Sequence, residues 1–521
     1  MSIARTIAKN SLFNFIATTA DAVAVFIVGI VLPRSLGTEQ YGTYSFMMWF
    51  LSLAALVVNL GMGDMSRRFI AEAIGLRSEK TTKGFVQLNF IVRGSATLVV
   101  FLLILFFTNQ LTHIFNVPGD GRYFTIISFV LLSYIPVMTL QGIFAGFQKY
   151  EYSAYLTLIV SPLRALLIIL LVVYHFGVSG VLLAYLGVWA IGAGIGFFLL
   201  RRLVPLHDLF QPSLLEPQAR SRALKYSMAA TGLLGVDYVL WQQAEVLFLG
   251  MFRTVEEVGF YNIAHRIPMM AINLAPYVVG QVLLPAVAEQ FGKGDMQKIK
   301  NIYSTSARYL MMLSLPLAAG GIALARPIIT VLFGAEYAPA IILMQIVFIP
   351  FALRGFNQAV SSVIYGINQP TFLLKIGVVL AAMSVGLNFW LIPKYGALGA
   401  VIATAIPRVL SLPIYIRFVS RKIGEPWPMR DTIKIVLASL IMGGVIYAVQ
   451  AQVGVVTGLA AGIILGLVVY ITALFFLRII GERDLEILEK VQEMLPRRLK
   501  KPYGYLLKLS RNIMSITRPG K

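Results

Sequence analysis

Eight charged residues stand inside long apolar runs: Asp21, Arg93, Arg164, Asp237, Glu245, Arg266, Arg354 and Arg408. A charge at the centre of a bilayer costs at least about 2.5–3.5 kcal/mol on insertion scales, so each should face a partner or a polar cavity. Five of them are arginines and three are acids, which leaves a cationic excess. Guanidinium is always charged and offers a planar fork of donors that fits phosphate oxygens. An interior of this composition suits an anionic headgroup and repels an organic cation. Arg164 and Arg354 fall nearest mid-span and lead the candidates for phosphate contact; Arg266, Arg93 and Arg408 follow.

The acids allow two readings. Asp21, Asp237 and Glu245 are candidates to bind a coupling ion, H+ or Na+, or they neutralise arginines on neighbouring spans. Asp237 and Glu245 are just over two helical turns apart and so share roughly one face. An anion leaving an inside-negative cell gains about 2.3 kcal/mol per charge per 100 mV, so ion coupling is not obligatory. Cysteine is absent and the four histidines (His113, His175, His207, His265) are scattered, which leaves no metal or cofactor motif.

The elements that must carry these charges are membrane spans. The chain has 521 residues, 58% hydrophobic and 13% charged, with a mean hydropathy of +0.79. Soluble domains are about a quarter charged, and this chain is far below that. The apolar runs are roughly 20–25 residues long, the length a helix needs to cross about 30 Å of hydrocarbon. Barrel strands would be about 10 residues long with alternating polarity, and that pattern is missing. The predicted class is an all-α polytopic membrane protein with about fourteen transmembrane helices. They are placed at 11–33, 41–63, 85–108, 122–147, 153–175, 178–200, 226–250, 259–285, 302–325, 339–364, 371–393, 397–418, 432–450 and 455–478. Arg5 and Lys9 before the first run imitate a signal peptide, but that run is too long for one and reads as a retained span.

The loops set the orientation. Most of the 44 lysines and arginines fall on one side; the opposite loops hold only Arg34, Arg122, Arg253, Arg326 and Lys394. By the positive-inside rule both termini are cytoplasmic in a multi-pass plasma (inner) membrane protein. The net charge of +21 belongs to these flanks, so no nucleic-acid partner is expected. The outside loops are too short for a catalytic domain, which argues against a membrane glycosyltransferase or polymerase: no enzyme is expected. Beyond Arg478 a basic stretch (Arg497, Arg498, Lys500, Lys501, Lys508, Arg511) with Leu485, Leu488, Val491 and Leu495 at helical spacing reads as an amphipathic helix on anionic lipid.

Landmarks recur along the chain at nearly constant separation. Glu39-Gln-Tyr-Gly42-Thr-Tyr44 matches Glu256-Glu-Val-Gly259-Phe-Tyr261, and Phe69-Ile-Ala-Glu72 matches Ala286-Val-Ala-Glu289. Phe176-Gly177-Val-Ser-Gly180 matches Tyr395-Gly396-Ala-Leu-Gly399, and Asp21 matches Asp237. Six spans per copy make the repeat parallel, with a pseudo-twofold axis along the membrane normal, the geometry of two lobes rocking about a central site. The expected divisions are an N-terminal lobe (1–216), a C-terminal lobe (217–420), two extra spans (421–480) and the basic tail (481–521).

Leu36-Gly37-Thr-Glu39-Gln-Tyr41-Gly42-Thr-Tyr44 resembles the first-loop signature of polysaccharide-lipid flippases. These are the Wzx-like branch of the multidrug/oligosaccharidyl-lipid/polysaccharide exporter superfamily. Arg68-Phe-Ile-Ala-Glu72, Val258-Gly259-Phe-Tyr261-Asn-Ile-Ala264-His-Arg266-Ile and Asn388-Phe-Trp-Leu-Ile-Pro393-Lys-Tyr-Gly396-Ala-Leu-Gly399-Ala are similar to that family too. The resemblance implies two six-helix lobes about a cavity, and outward movement of a polyprenyl-diphosphate-linked oligosaccharide by alternating access, often coupled to H+ or Na+. It implies glycan polymerase or assembly proteins as partners, and it lends Arg266, inside a family motif, a role at the site. A peptidoglycan lipid-precursor flippase and a multidrug/cation antiporter share the superfamily. The cationic interior speaks against the antiporter.

Overall fold

The computed structural model describes residues 3–205, 207, 215–241, 243–274, 276–481 and 484; the side chains of 3–12, 14, 237, 240–242 and 272–282 lie outside that description. All regular elements among the described residues are helices. In order they are α1 (Ile3–Asn59), α2 (Met62–Gly75), α3 (Glu79–Phe106), α4 (Thr108–Ile114), α5 (Arg122–Gly146), α6 (Tyr150–Val173), α7 (Gly177–Leu200), α8 (Pro217–Trp241) and α9 (Glu245–Phe252). There follow α10 (Val255–Leu274), α11 (Pro276–Gly292), α12 (Met296–Ala323), α13 (Ala325–Leu332), α14 (Ala340–Ala352), α15 (Arg354–Gly366), α16 (Pro370–Ile423), α17 (Met429–Gln450) and α18 (Val455–Phe476).

Two of these helices are too long for one crossing. α1 has 57 residues, about 85 Å at 1.5 Å per residue, nearly twice a bilayer with its headgroups. It breaks at Gly37 (φ 72, ψ 176), between the first two predicted spans. α16 has 54 residues and breaks at Gly396 (φ 56, ψ −134), between the eleventh and twelfth. Both breaks use a left-handed φ that glycine adopts without a Cβ penalty. Nine helical stretches among the described residues are long and apolar enough to cross a membrane, and α12 with α13, bent by 67°, makes a tenth. The seventh and eighth predicted spans fall on α8–α9 and α10–α11. The repeat also shows in the backbone. Left-handed residues recur at the landmark spacing: Arg77 (φ 55) with Gly294 (φ 72), Gln148 (φ 56) with Asn368 (φ 59), and Gly177 (φ 59) with Gly396.

The chain forms two compact units, residues 1–262 with 377–404, and residues 263–376 with 405–521. In the first, α5 packs against α2, α3 and α7, and α1 lies along α6. Its core holds Met62, Phe69, Phe85, Leu140 and Phe144. This unit also joins the two copies of the loop motif. A Cβ on Gly259 would come 3.1 Å from Gly42 Cα, and one on Gly42 would overlap the Val255 carbonyl. Around this glycine pair Tyr41 Oη donates to Asn262 Oδ1 (3.1 Å) and Thr38 Oγ1 to Glu256 Oε1 (3.1 Å). Glu257 accepts from the Ala397 N–H (2.7 Å), just past the α16 break. Arg253 donates to the carbonyls of Ile392 (3.1 Å) and Pro393 (3.0 Å).

In the second unit α12 is central, packing on α14, α15 and α17. Phe356 stacks on Trp427 with Tyr303 edge-on. The last two spans dock through small residues: a Cβ at Gly462 or Gly466 would crowd Leu324 or Ile446, the close approach that glycine stripes permit between membrane helices. Arg308 has a carboxylate partner. It pairs with Asp484, whose carboxylate also accepts from Tyr309 Oη (2.5 Å) and the Gly481 N–H (2.8 Å). The rest of the basic tail lies outside the described residues.

Candidate functional site

The sequence candidates separate into three groups. The most open is in the first unit, where α1 lies along α6. Arg164 Nη2 donates to Asp21 Oδ1 at 2.8 Å, and Ser161 Oγ, one turn earlier on α6, donates to the same oxygen at 2.5 Å. Arg164 is nearly buried, its side chain 11% exposed, whereas Asp21 is 41% exposed. Only one of the five guanidinium N–H groups is used; the others meet no acceptor, and Asp21 Oδ2 meets no donor, among the described residues. α7 supplies two rings at helical spacing, Tyr185 and Trp189, each with its centroid 5.9 Å from the Arg164 guanidinium carbon. Tyr134 of α5 packs on Trp189 (centroids 4.8 Å), and Tyr185 Oη lies 3.0 Å from Tyr44 Oη. Trp189 Nε1 is buried with no acceptor among the described residues.

Arg93 on α3 belongs to a different arrangement. It is 2% exposed, donates through Nη1 to Thr139 Oγ1 of α5 (3.1 Å) and through Nη2 to Asn59 Oδ1 of α1. Its partners are neutral and tie three helices together. In the second unit Arg408 is buried on α16, its guanidinium carbon 5.7 Å from the Phe351 ring centroid. His265 of α10, also buried, meets the same ring edge-on at 5.9 Å. Arg354 opens α15 after an interruption at Leu353; it and Arg266 are half-buried. Glu245 is fully buried at the start of α9. Asp237 sits on α8, and its side chain lies outside the described residues.

Of the eight candidates, then, Asp21 and Arg164 are brought into contact. Sequence reasoning did not single out Ser161, Tyr134, Tyr185, Trp189, Asn59, Thr139 or His265 as members of these clusters. A signal existed for three of them: Ser161 is three residues from Arg164, and Tyr185 and Trp189 are four apart, spacings that share a helix face.

The chain resembles known proteins over most of its length. It is 23% identical over 475 residues to a Haloferax volcanii protein named "Probable low-salt glycan biosynthesis flippase Agl15", covering 89% of this chain and 95% of that one. Among solved structures it resembles a lipid II flippase MurJ in an inward closed conformation, with a TM-score of 0.70 at 16% identity over 90% of this chain and 99% of that one. It also resembles an inward-facing multidrug resistance MATE family transporter of the MOP superfamily, at a TM-score of 0.63 and 17% identity over 78% of this chain and 94% of that one. The two structural likenesses establish the fold, a polytopic helical bundle like those of these two transporters. Residues 31–342 match the family described as "Polysaccharide biosynthesis protein", and the chain belongs to that family.

Proposed function

We propose that the protein is a flippase that carries a polyprenyl-diphosphate-linked oligosaccharide from the cytoplasmic to the outer leaflet of the plasma membrane. The headgroup passes through a cationic centre by alternating access between two six-helix lobes while the lipid tail stays in the bilayer. Both termini are cytoplasmic, as the lysine and arginine bias requires. The observation that carries this reading is Arg164: a guanidinium deep in an apolar helix with all but one of its N–H donors unspent. A donor-rich cation at that depth is costly unless an anion visits it, and its fork geometry fits a diphosphate. The acidic partner of Arg164 does not abolish the excess, because the arginines within the apolar runs outnumber the acids there five to three. An antiporter for organic cations would need the opposite sign. The family match and the names of the relatives support the same substrate class.

The test is reconstitution into vesicles with a fluorescent polyprenyl-diphosphate sugar and a membrane-impermeant quencher. Wild-type protein should expose the label on the opposite leaflet faster than empty vesicles, and the Arg164→Ala/Arg354→Ala double variant should not. Equal rates in protein-containing and empty vesicles would refute the flippase reading. Full activity in the double variant would remove both arginines from the path.

A further inference from the structure

Asp21 is at odds with a site built only for phosphate. A carboxylate repels a diphosphate, yet it sits 2.8 Å from the arginine best placed to bind one. It is not locked away as a mere neutraliser either. Its side chain is 41% exposed, and Oδ2 accepts no hydrogen bond among the described residues. An ionised carboxylate so open in the middle of an apolar helix cannot face acyl chains cheaply, so it faces water or a polar ligand. The unspent groups of the cluster are therefore of two kinds. Arg164 has free donors that want an anion, while Asp21 Oδ2 is a free acceptor that wants a hydroxyl. Trp189 adds a buried Nε1–H with no acceptor among the described residues and a ring face beside the guanidinium.

Only a ligand bearing phosphate and hydroxyls together satisfies this set. A sugar attached to a diphosphate has both within a few ångströms, and its C–H face can lie on an indole. A bare polyprenyl phosphate or diphosphate has acceptors alone; it would satisfy Arg164 and leave Asp21 facing another anion. The geometry points to Asp21 as a specificity-determining residue: it accepts a hydroxyl of the sugar next to the diphosphate, so the loaded carrier binds and the empty carrier is rejected. This inference rests on the flippase reading and adds to it a means of telling loaded from empty carrier, with Trp189 Nε1–H donating to a second sugar oxygen. Rejection through an unsatisfied polar group is stronger than selection by apolar fit, because the penalty falls on the wrong ligand.

The experiment uses the full chain in lipid nanodiscs and two probes with the same prenyl tail, a glycosylated diphosphate and the bare diphosphate. Wild-type protein should bind the glycosylated probe at least about tenfold more tightly. Asp21→Asn keeps an oxygen for Ser161 and Arg164 but removes the charge. It should strengthen binding of the bare probe and bring the two within about twofold of each other. Trp189→Phe keeps a ring and loses the N–H. It should weaken the glycosylated probe roughly threefold to tenfold and leave the bare probe unchanged. Equal binding of the probes by wild-type protein overturns the inference, as does a preference that survives Asp21→Asn. If wild-type protein flips the glycosylated lipid while binding both probes equally, the flippase reading stands and the discriminating role of Asp21 falls. If it neither binds nor moves either probe, both fall.

Discussion

Arg93 and Arg164 are the same residue type inside apolar helices of one unit, yet their surroundings differ. Arg93 is held by a threonine hydroxyl and an asparagine amide, both neutral, and is 2% exposed. Arg164 faces a carboxylate that is itself half open. Neutral partners can satisfy a guanidinium's donors but leave its charge in place, so Arg93 works as a cross-brace among α1, α3 and α5. A charged partner in contact with water can be exchanged for another anion at small cost, which is what a transport site needs. Depth in an apolar run does not distinguish these roles; partner chemistry does.

The sharpest way to break this contrast is Arg93→Ala. The change leaves the Asn59 oxygen and the Thr139 hydroxyl without their partner and opens a cavity between three helices. The expected loss is about 3 kcal/mol of stability, read as a large fall in unfolding temperature of the purified protein. Flipping per folded molecule should stay within about twofold if bracing the three helices is all that Arg93 does. Normal stability with lost flipping would move Arg93 from brace to site.

Arg164→Ala should give the opposite pattern. Hydrogen bonds to charged groups contribute about 1.5–3 kcal/mol, so flipping should fall roughly 10- to 100-fold. The half-open Asp21 is left to water, and the amount of folded protein should change little. Arg164→Lys keeps the charge but not the fork and should recover only part of the rate. A lysine variant with full activity would mean that charge alone matters and that bidentate geometry does not.

How much of this was legible in the sequence follows from the range of the interactions involved. The spans were visible because a bilayer imposes length and apolarity on each segment separately. The breaks at Gly37 and Gly396 were foreseen as loops because glycine marks them locally. The interruption between α8 and α9, where Gln243 has φ 61, carries no such mark, and the span was read as unbroken. The Asp21–Arg164 pair joins residues 143 apart, and the glycine motifs of the two copies meet through Tyr41 and Asn262, 221 apart. Single-residue patterns cannot specify such partners. They said which side chains needed company in the membrane, and the fold decided whether that company was neutral, as for Arg93, or charged, as for Arg164.

Arg308 extends the contrast to a charge pair that closes rather than opens a site. Its guanidinium and Asp484 are 20% and 9% exposed, and the pair fastens the segment after α18 to α12. A double-mutant cycle with Arg308→Ala and Asp484→Ala should give a coupling of about 1–3 kcal/mol in thermal unfolding. Flipping should be less affected than in Arg164→Ala. A coupling near zero would show that Tyr309 and the Gly481 N–H hold Asp484 unaided.

The smallest expected effect comes from a partly exposed carboxylate at a helix start, outside the predicted spans. Asp295 caps α12, accepting the Lys298 N–H at 3.0 Å and pairing with the Lys298 ammonium at 3.1 Å. The backbone hydrogen bond first, and the lysine second, hold its carboxyl below the usual aspartate range. A depressed folded value means the ionised cap stabilises the helix above the ordinary carboxylate pKa. That contribution is lost as pH falls through the depressed value. Hydrogen exchange at the first turn of α12 should therefore be slow at neutral pH and rise, after correction for intrinsic rates, only below about pH 4. Asp295→Asn keeps a capping oxygen without a titrating proton and should flatten that dependence. Unlike Asp21, which holds the arginine of the candidate site, Asp295 lies at the end of a helix outside the predicted spans, so neither change should alter flipping. A pH-dependent loss of flipping that disappears with Asp295→Asn would show that this cap does more than start a helix.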